Sequence, residues 1–421
     1  MTAAATPASL FAAGPPNPLQ NPALLANPYP LYAALRSANP VLRAPLPVES
    51  GAGVFVLTRH AEVESVLRDA EHRFSVQRRK ADVFRLYADR LPVAILEGPG
   101  GMQSMLLQDP PSHTRLRGLV SKAFTPRRVS ALAPRVEALV RSLLDEALER
   151  GECDWIHDLA EPLPAVVIAE LLGVPPEDHR TFRGWSSRLI DALPAFGQEG
   201  SQAEVASLID TLLDYLRRQI EARRKSPGDD LLSALIEARD AKDALSEQEL
   251  QATALLLLLA GHETTTNLIG NGLLALLRHP DQLAALQADP AGRTENAVEE
   301  LLRYDSPVQG TVRVAIADVE LGGQRIEPGA LVFCGIGAAN RDPLVHPDPD
   351  RLDLARQPIR HLSFGLGTHF CLGAALARLE GRAVFRALGK RVRSVELASE
   401  ALVYRTNPIL RGLRSLPVRL A

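Results

Sequence analysis

The stretch FGLGTHFCLG, residues 364–373, places a single cysteine between glycines, directly before a segment whose Leu and Ala spacing predicts a helix. The chain has only three cysteines, so Cys371 does not belong to a dense disulfide pattern. Backbone N–H groups at a helix N-terminus stabilise a thiolate, and Gly365, Gly367 and Gly373 leave space for a flat ligand beside the sulfur. A buried structural cysteine before a turn is the alternative interpretation.

The composition indicates one large domain with balanced charge. The 421 residues contain 47 Lys and Arg against 50 Asp and Glu, a net charge of −3, which does not indicate a nucleic-acid partner. No linker divides the chain, and its N-terminus lacks the basic start and apolar run of a signal peptide. The longest apolar run, 255–260, is too short to span a bilayer. We predict a single domain over residues 1–421, a cytoplasmic location and no membrane partner.

Hydrophobic periodicity predicts a mainly α fold with a small β region. Prolines concentrate at the start of the chain, so residues 1–27 are predicted to form an extended Pro-rich arm. Strands are predicted in 53–58 and in 319–335, where β-branched runs are separated by Gly turns. Helices are predicted at 61–69, 113–122, 129–150, 164–172, 178–192, 202–224, 229–238, 247–278, 281–287, 293–304 and 372–388.

The pattern Phe364-x-x-Gly367-x-His369-x-Cys371-x-Gly373 resembles the haem-binding loop of cytochromes P450. A cysteine thiolate in this family is the axial ligand of haem iron and favours O–O cleavage. The resemblance implies that Cys371 is the iron ligand, that His369 contacts a haem propionate and that Phe364 shields the sulfur. It implies haem b as the cofactor. The implied fold is the cytochrome P450 fold, with haem between the long central helix and the helix that follows the cysteine.

The segment LLLLLAGHETTTNLIG, residues 255–270, contains a polar group of residues inside an otherwise apolar helix. Threonines that hydrogen-bond back to the preceding helical turn are the structural alternative. The pattern Ala260-Gly261-x-Glu263-Thr264 resembles the oxygen-binding groove of the same family. The resemblance implies that Gly261 lets the helix open beside the haem, that Thr264 hydrogen-bonds dioxygen and that Glu263 relays protons from solvent.

A basic pair at the start of a predicted helix, His113 and Arg117, shares one helix face. Alone, this pair would be a solvated surface. The family uses this helix, and an arginine after its Glu-x-x-Arg helix, to bind carboxylates, and Arg313 occupies the latter position. The resemblance therefore implies that His113, Arg117, Arg313 and His369 hold the two haem propionates.

Glu300 and Arg303 are three residues apart and face the same side of a predicted helix. An exposed ion pair of small energetic value is the default interpretation. The spacing also resembles the buried Glu-x-x-Arg motif of the family, whose third member is predicted to be Arg351 in the segment PDPDRLD. We assign this triad to the scaffold because a buried, mutually bonded network fixes geometry.

The substrate site is predicted to be apolar with a few polar anchors, appropriate for a lipid, terpenoid or polyketide-like molecule. Each candidate could equally be a packing residue. The candidates are Met102, Met105, Val308, Gln309 and Thr311.

The leading hypothesis is a monomeric monooxygenase that inserts one atom of dioxygen into an apolar small molecule by hydroxylation or epoxidation. The chain has no dinucleotide fingerprint and no Cys cluster, so electrons are predicted to come from an external ferredoxin and ferredoxin reductase. Lys122, Arg127 and Arg128 could contribute to docking of that donor or be ordinary surface. The alternatives are a peroxide-driven peroxygenase and a non-catalytic thiolate-haem sensor or carrier.

Overall fold

The structure is a computed structural model, and its described part consists of residues 21–44, 53–82, 104–192, 201–239, 245–407 and 409–421. The helices are α1 (Pro22–Ala26), α2 (Tyr29–Ala38), α3 (His60–Arg68), α4 (Ser112–Ala123), α5 (Pro126–Ala131), α6 (Ala133–Arg150), α7 (Pro162–Leu171), α8 (His179–Ala192), α9 (Ser201–Lys225), α10 (Leu231–Arg239), α11 (Glu247–Leu277), α12 (Pro280–Ala288), α13 (Pro290–Tyr304), α14 (Ile336–Ala339) and α15 (Ala374–Arg391). The strands are β1 (Val41–Ala44), β2 (Val54–Leu57), β3 (Phe74–Ser75), β4 (Glu152–Asp154), β5 (Thr311–Ala315), β6 (Val319–Leu321), β7 (Gln324–Ile326), β8 (Leu331–Cys334), β9 (Val395–Leu397) and β10 (Pro417–Leu420). The observed fold is mainly α with small sheets, as predicted.

The chain divides into two compact units. The first unit comprises the described residues of Met1–Arg90, Glu299–Cys371 and Val403–Arg411. The second comprises those of Leu91–Val298, Leu372–Leu402 and Gly412–Ala421. Whether they act as the single domain expected from the sequence stays a prediction.

The first unit is built on a five-stranded sheet in the order β1-β2-β8-β5-β3. β2 and β8 are parallel, with Val54 opposite Leu331, and the other pairs are antiparallel. Apolar side chains of these strands and of α3 form one buried cluster, in which Val63 and Val332 have no exposed surface. The β-branched residues that predicted the strands therefore also supply the core of this unit.

The start of the described chain differs from the predicted extended arm. Within 1–27, residues Pro22–Ala26 form α1, and Asn21 caps it because its Oδ1 accepts a hydrogen bond from the N–H of Ala23 at 2.9 Å. Proline at the first helical position is tolerated because the missing N–H has no helical partner there. The arm prediction is therefore wrong for this segment, and residues 1–20 lie outside the described part.

The second unit is organised around α11, a helix of 31 residues. Ser246 and Glu249 form a reciprocal capping box at its start, which satisfies two backbone N–H groups that a helix otherwise leaves unpaired. Gly270 of α11 packs closely against Ile156, since a Cβ atom at Gly270 would lie 2.5 Å from Cδ1 of Ile156. A smaller sheet in the order β4-β10-β9 belongs to the same unit.

One predicted helix, 129–150, is two helices in the structure. The break falls at Leu132, because Pro134 in the first turn of α6 has no backbone N–H to donate to the preceding turn. Thr125 caps α5, its Oγ1 accepting from the N–H of Arg128 at 3.2 Å. None of the described helices combines the length and the apolar composition that crossing a bilayer requires.

Candidate active site

The cysteine loop of the first unit is held by backbone hydrogen bonds. The N–H of Cys371 donates to the carbonyl of Phe364 at 2.9 Å, and the N–H of Phe370 donates to Gly367 at 3.0 Å. Cys371 is exposed, and α15 begins three residues later at Ala374. The sulfur is therefore presented by a fixed turn directly before a helix, as the sequence predicts, and it is not the buried structural cysteine of the alternative.

Two glycines of this loop have backbone conformations that favour glycine. Gly365 and Gly367 have φ values of +67° and +69°. A Cβ atom at Gly367 would also lie 2.6 Å from the carbonyl oxygen of Leu67, so no side chain fits without a backbone shift. The loop thus lies directly on α3, and this contact fixes its position within the first unit.

Aromatic rings flank the cysteine. Phe364 is half-buried, and its ring centroid lies 5.7 Å from that of His361 and 6.4 Å from that of Phe370. The Nε2 atom of His361 is in turn 3.0 Å from Oε2 of Glu299. His369 is half-buried in the short turn Gly367–His369. These contacts give Phe364 a defined place beside the loop.

Arg313 lies on β5, in the sheet of the first unit, and is only 8% exposed. Its Nη1 donates to the carbonyl of Val312 at 2.9 Å and to Oγ1 of Thr311 at 3.3 Å. A guanidinium has five N–H donors, and its planar fork matches the two oxygens of a carboxylate.

In the second unit, His113 and Arg117 lie close together on α4, as their spacing predicts. His113 is buried, and burial followed by the charge of Arg117 lowers the pKa of its imidazole. His113 therefore acts as a neutral N–H donor at neutral pH, while half-buried Arg117 supplies the positive charge. The pair suits a carboxylate.

One side of α11 keeps accessible surface, although the helix is otherwise buried. Between Leu250 and Leu276, the residues that are not buried are Leu256, Leu259, Ala260, Gly261 and Thr264. Leu256, Ala260 and Thr264 are four residues apart, which places them on one helix face. We call these five residues the accessible stripe. It includes Ala260, Gly261 and Thr264 of the predicted oxygen-binding groove, whereas Glu263 of that groove is buried.

The polar residues predicted to handle protons lie at the end of this stripe. The hydroxyl of Thr264 donates to the carbonyl of Ala260 at 3.1 Å. This is the hydrogen bond to the preceding helical turn that a purely structural threonine would make. The hydroxyl oxygen can still accept a hydrogen bond from another donor. Glu263 is 1% exposed, and Nδ2 of Asn267 donates to its Oε1 at 3.3 Å. Asn267 was not predicted as a partner of Glu263, although the i, i+4 spacing of the two residues indicates such a contact.

Asn267 is itself closely packed. A Cβ atom at Gly412 would lie 1.8 Å from Oδ1 of Asn267, so only glycine fits there unless the amide moves. Gly261 also has a packing role, since a Cβ atom on it would lie 3.0 Å from Cγ1 of Ile168 on α7. This close approach between helices is a second reason for glycine at 261 besides the predicted opening of the helix.

The buried Glu300 network in the first unit corrects one prediction. Arg303 binds both carboxylate oxygens of Glu300, with Nε at 2.7 Å and Nη2 at 2.8 Å, and Nε of Arg356 binds Oε1 at 3.1 Å. The side chain of Arg351 is exposed, and this residue contributes its backbone carbonyl to Arg303 at 3.1 Å. The third member of the triad is therefore Arg356, because its side chain turns inward where that of Arg351 points to solvent.

Gln309 was predicted as a substrate contact, but its amide is already bonded within the first unit. Its Nε2 donates to the carbonyl of Ser306 at 2.7 Å, and its Oε1 accepts from the hydroxyl of Tyr32 at 3.0 Å. The hydroxyl of Tyr29 lies 3.4 Å from Nε2. This prediction is wrong, because the side chain is 2% exposed and holds α2 in place.

The other substrate candidates remain predictions. Val308 is half-buried against the sheet cluster, and Thr311 is half-buried beside Arg313. Met105 is 6% exposed in a short turn of the second unit, and Met102 lies outside the described residues. The docking candidates Lys122 and Arg127 are exposed, whereas Arg128 pairs with Asp229 at 3.1 Å.

Each unit contains side chains whose chemistry suits a haem group. The first unit offers an exposed thiol in a glycine turn, an adjacent aromatic ring and a nearly buried arginine, Arg313. The second offers a His and Arg pair and an apolar accessible stripe that ends in a hydroxyl. Among the described residues no group of three or more His, Cys, Asp or Glu side chains could hold a metal ion. A single thiolate that binds an iron already held by a porphyrin agrees with this donor set.

Comparison with known proteins supports this interpretation. A family profile described as Cytochrome P450 matches residues 188–291 and 292–390. The vitamin D(3) 25-hydroxylase of Pseudonocardia autotrophica is 44% identical over 398 residues, covering 94% of each chain. The 6-deoxyerythronolide B hydroxylase of Saccharopolyspora erythraea is 42% identical over 407 residues, covering 93% of this chain and 96% of the relative.

Solved structures agree. The chain is similar to the myxobacterial cytochrome P450 CYP267B1 in complex with myristic acid, with a TM-score of 0.86 and 39% identity over 96% of this chain and 98% of that one. The chain belongs to the cytochrome P450 family and is a P450 monooxygenase.

Proposed function

We propose that the protein uses haem b to insert one atom of dioxygen into an apolar small molecule by hydroxylation or epoxidation. Two electrons come from an external ferredoxin and ferredoxin reductase, and two protons convert the second oxygen atom to water. The observation that carries the proposal is the exposed Cys371 thiol in a backbone-bonded glycine turn directly before a helix. When bound, haem supplies the iron at which dioxygen is activated.

The residues proposed to hold the cofactor have matched chemistry. Cys371 is the iron ligand, with Phe364 beside the sulfur and Gly365 and Gly373 leaving space. The propionates are carboxylates, which accept hydrogen bonds from guanidinium and imidazole N–H groups. The proposed propionate ligands are His113, Arg117, Arg313 and His369. Support comes from the neutral state of His113 and from the burial of Arg313.

Proton handling is assigned to the end of the accessible stripe. Glu263 can release and regain a proton, and the Thr264 hydroxyl can pass one on, because it both donates and accepts. Asn267 would keep the Glu263 carboxyl oriented through its 3.3 Å bond. Ala260 and Gly261 have no side chains beyond Cβ and would leave room beside the hydroxyl. The residues therefore form a sequence of donors and acceptors along one helix.

The substrate is proposed to be a large apolar molecule of the lipid or polyketide class. Leu256, Leu259 and Ala260 give the accessible stripe an apolar surface. Two relatives are named a vitamin D(3) 25-hydroxylase and a 6-deoxyerythronolide B hydroxylase, and these names support a substrate of this class. A cytoplasmic location and a monomeric state stay predictions from the sequence.

A Cys371→Ser variant tests the ligand assignment. The carbon monoxide complex of the reduced wild-type protein should show the absorption of thiolate-bound haem, and the variant should lose it. Cys153→Ser is the control, because Cys153 is buried in β4, where burial raises the pKa of its thiol to about 11. An unchanged spectrum in the Cys371 variant would refute the proposal.

A Thr264→Ala variant tests the proton assignment. Electron consumption should continue, while product falls and hydrogen peroxide rises, because the second proton is delivered less effectively. Thr253→Ala is the control, since Thr253 is a buried threonine of the same helix outside the accessible stripe. Equal product yield per electron in the Thr264 variant and the wild type would contradict the assignment. A spectral screen for changes in the iron spin state against an apolar compound library would identify the substrate class.

A further inference from the structure

A short turn, Arg78–Lys80, lies beside the strand that contains Arg313. β3 pairs antiparallel with β5, with Phe74 opposite Ala315 and Ser75 opposite Val314. Continuing this register places Arg78 near Thr311. Residues 311 and 313 face the same side of β5, because side chains alternate along a strand. The topology therefore brings the arginines of the turn and of the strand to one part of the sheet.

The turn is anchored at both ends. Before it, the N–H of Gln77 donates to Oγ of Ser75 at 3.0 Å. After it, the N–H of Asp82 donates to the carbonyl of Gly329 at 3.0 Å. These bonds hold the backbone of the turn, and with it Arg78, in a defined position relative to the sheet.

The turn that carries Arg78 contacts β5, and the charge of Arg313 acts on the guanidinium of Arg78. Arg78 is an exposed residue, and desolvation followed by the charge of Arg313 lowers the pKa of its guanidinium. Among the described residues, no carboxylate lies within ion-pair distance of Arg78. Two cations whose charges act on each other repel, and an anion bound by both would relieve the repulsion.

We propose that Arg78 and Arg313 form one carboxylate-binding pair, with Arg78 as a ligand in addition to the residues already assigned. This inference rests on the proposed role of Arg313. A guanidinium offers parallel N–H groups that match the two oxygens of a carboxylate. The carboxylate belongs to a haem propionate or to an acidic substrate, and the two sources are separable by experiment.

The propionate source is tested by the rate of haem transfer from the holoenzyme to excess apomyoglobin. Arg78→Gln should accelerate transfer about tenfold or more, since the substitution removes a hydrogen bond between two charged groups. The acceleration should vanish in protein reconstituted with haem dimethyl ester, which has no carboxylates. Arg79→Gln is the matched control, because Arg79 is an exposed neighbour in the same turn.

The substrate source is tested by spin-state titrations with dodecanoic acid and with methyl dodecanoate. If the carboxylate belongs to substrate, Arg78→Gln should raise the Kd of the acid about tenfold or more and leave that of the ester unchanged. Arg78→Lys should recover part of the loss, because the positive charge is kept without the paired N–H groups.

The two arms separate failure of the inference from failure of the proposed function. Arg78→Gln behaving like Arg79→Gln in both arms would overturn the inference. If Arg313→Gln alone then accelerates haem transfer, the proposed role of Arg313 survives. If Arg313→Gln also changes neither arm, the proposed carboxylate role of Arg313 fails with it.

Discussion

Two buried glutamates, one in each compact unit, have opposite surroundings. Glu300 has no exposed side-chain surface and accepts four hydrogen bonds, from Arg303, Arg356 and the N–H of Asp353. Glu380 on α15 is 1% exposed, yet neither of its oxygens has a hydrogen-bond partner among the described residues. Burial raises the pKa of Glu380 well above 4.5.

The difference shows that a buried acid is stabilised by its neighbours and not by burial. At Glu300 two guanidinium groups compensate for the lost hydration, so the charge serves as a fixed crosslink between α13 and the segment around Asp353. At Glu380 no hydrogen bond from the described part of the chain replaces the hydration, so burial favours the protonated acid. The first residue stabilises the scaffold, whereas the second makes stability depend on pH.

The largest effect is expected from Glu300→Gln. This change removes the negative charge and leaves two buried guanidinium groups without it, which costs about 3–5 kcal/mol in the free energy of unfolding. Urea unfolding followed by circular dichroism measures it. Glu299→Gln is a control one residue away, because its carboxylate is partly exposed and pairs with the ring of His361. Similar losses in both variants would remove the contrast between the two glutamates.

Glu380→Gln tests the other side of the comparison through pH. The pKa of Glu380 is higher in the folded than in the unfolded state. Its contribution to the free energy of unfolding is therefore fully present below about pH 4.5, the unfolded-state pKa. The contribution is lost as the pH rises towards the folded-state pKa. Over that window the wild type should lose about 1.4 kcal/mol per pH unit that the variant retains. Urea midpoints between pH 5 and 8 measure the difference.

Exposed Glu400, changed to Gln, provides the control for this titration, and its stability should follow that of the wild type. Parallel pH profiles of Glu380→Gln and the wild type would show that the acid has a partner in solution.

His346 sharpens the comparison, because it lies close to the charges of the Glu300 network. Burial, followed by the charges of Arg303, His60 and Arg356, lowers the pKa of His346 to about 3. The unfolded chain binds a proton near pH 6.5, so stability should fall as pH drops from about 6.5 towards 3. At pH 5 the loss is about 2 kcal/mol.

His346→Phe should remove this acid sensitivity and keep an aromatic ring against His60, whose centroid lies 6.3 Å away. The measurement is the ratio of urea midpoints at pH 7.5 and 5. His72→Asn is the control, because His72 is exposed and asparagine tolerates its positive φ of 52°. If His346→Phe has the same ratio of urea midpoints as the wild type, His346 is not the source of the acid sensitivity.

The smallest effect is expected from Arg351→Gln. Its side chain is exposed, and its contribution to the network is a backbone carbonyl that the substitution keeps, so stability should change by less than about 0.5 kcal/mol. Arg356→Gln, measured in the same urea titration, should be clearly destabilised. The reverse ranking would restore the triad predicted from the sequence.

Sequence reasoning predicted most helices and the cysteine loop, because both depend on local patterns. The Leu and Ala periodicity of 247–278 is a property of one segment, and α11 follows it closely. Arg351 and Arg356 are both arginines near the same motif, and only the path of the chain decides which side chain turns inward. Gln309 was misassigned for the same reason, since its partner Tyr32 is 277 residues away.

Asn267 and Arg78 show what the sequence left unassigned. The bond between Asn267 and Glu263 follows from helix spacing, but the close approach of Gly412 depends on a distant segment of the chain. Arg78 has no motif around it, and its position beside Arg313 depends on the pairing of β3 with β5. Long-range register is therefore the information that the local pattern lacked.

The accessible stripe of α11 has a consequence for enzyme engineering. We expect libraries that diversify Leu256, Leu259 and Ala260 to alter product profiles and to retain the yield of folded protein, because these side chains keep accessible surface. Their neighbours Leu257 and Leu258 are buried, and truncating either to alanine costs about 2–5 kcal/mol. Within a single turn, the 31-residue helix α11 therefore carries positions that tolerate substitution beside positions that do not.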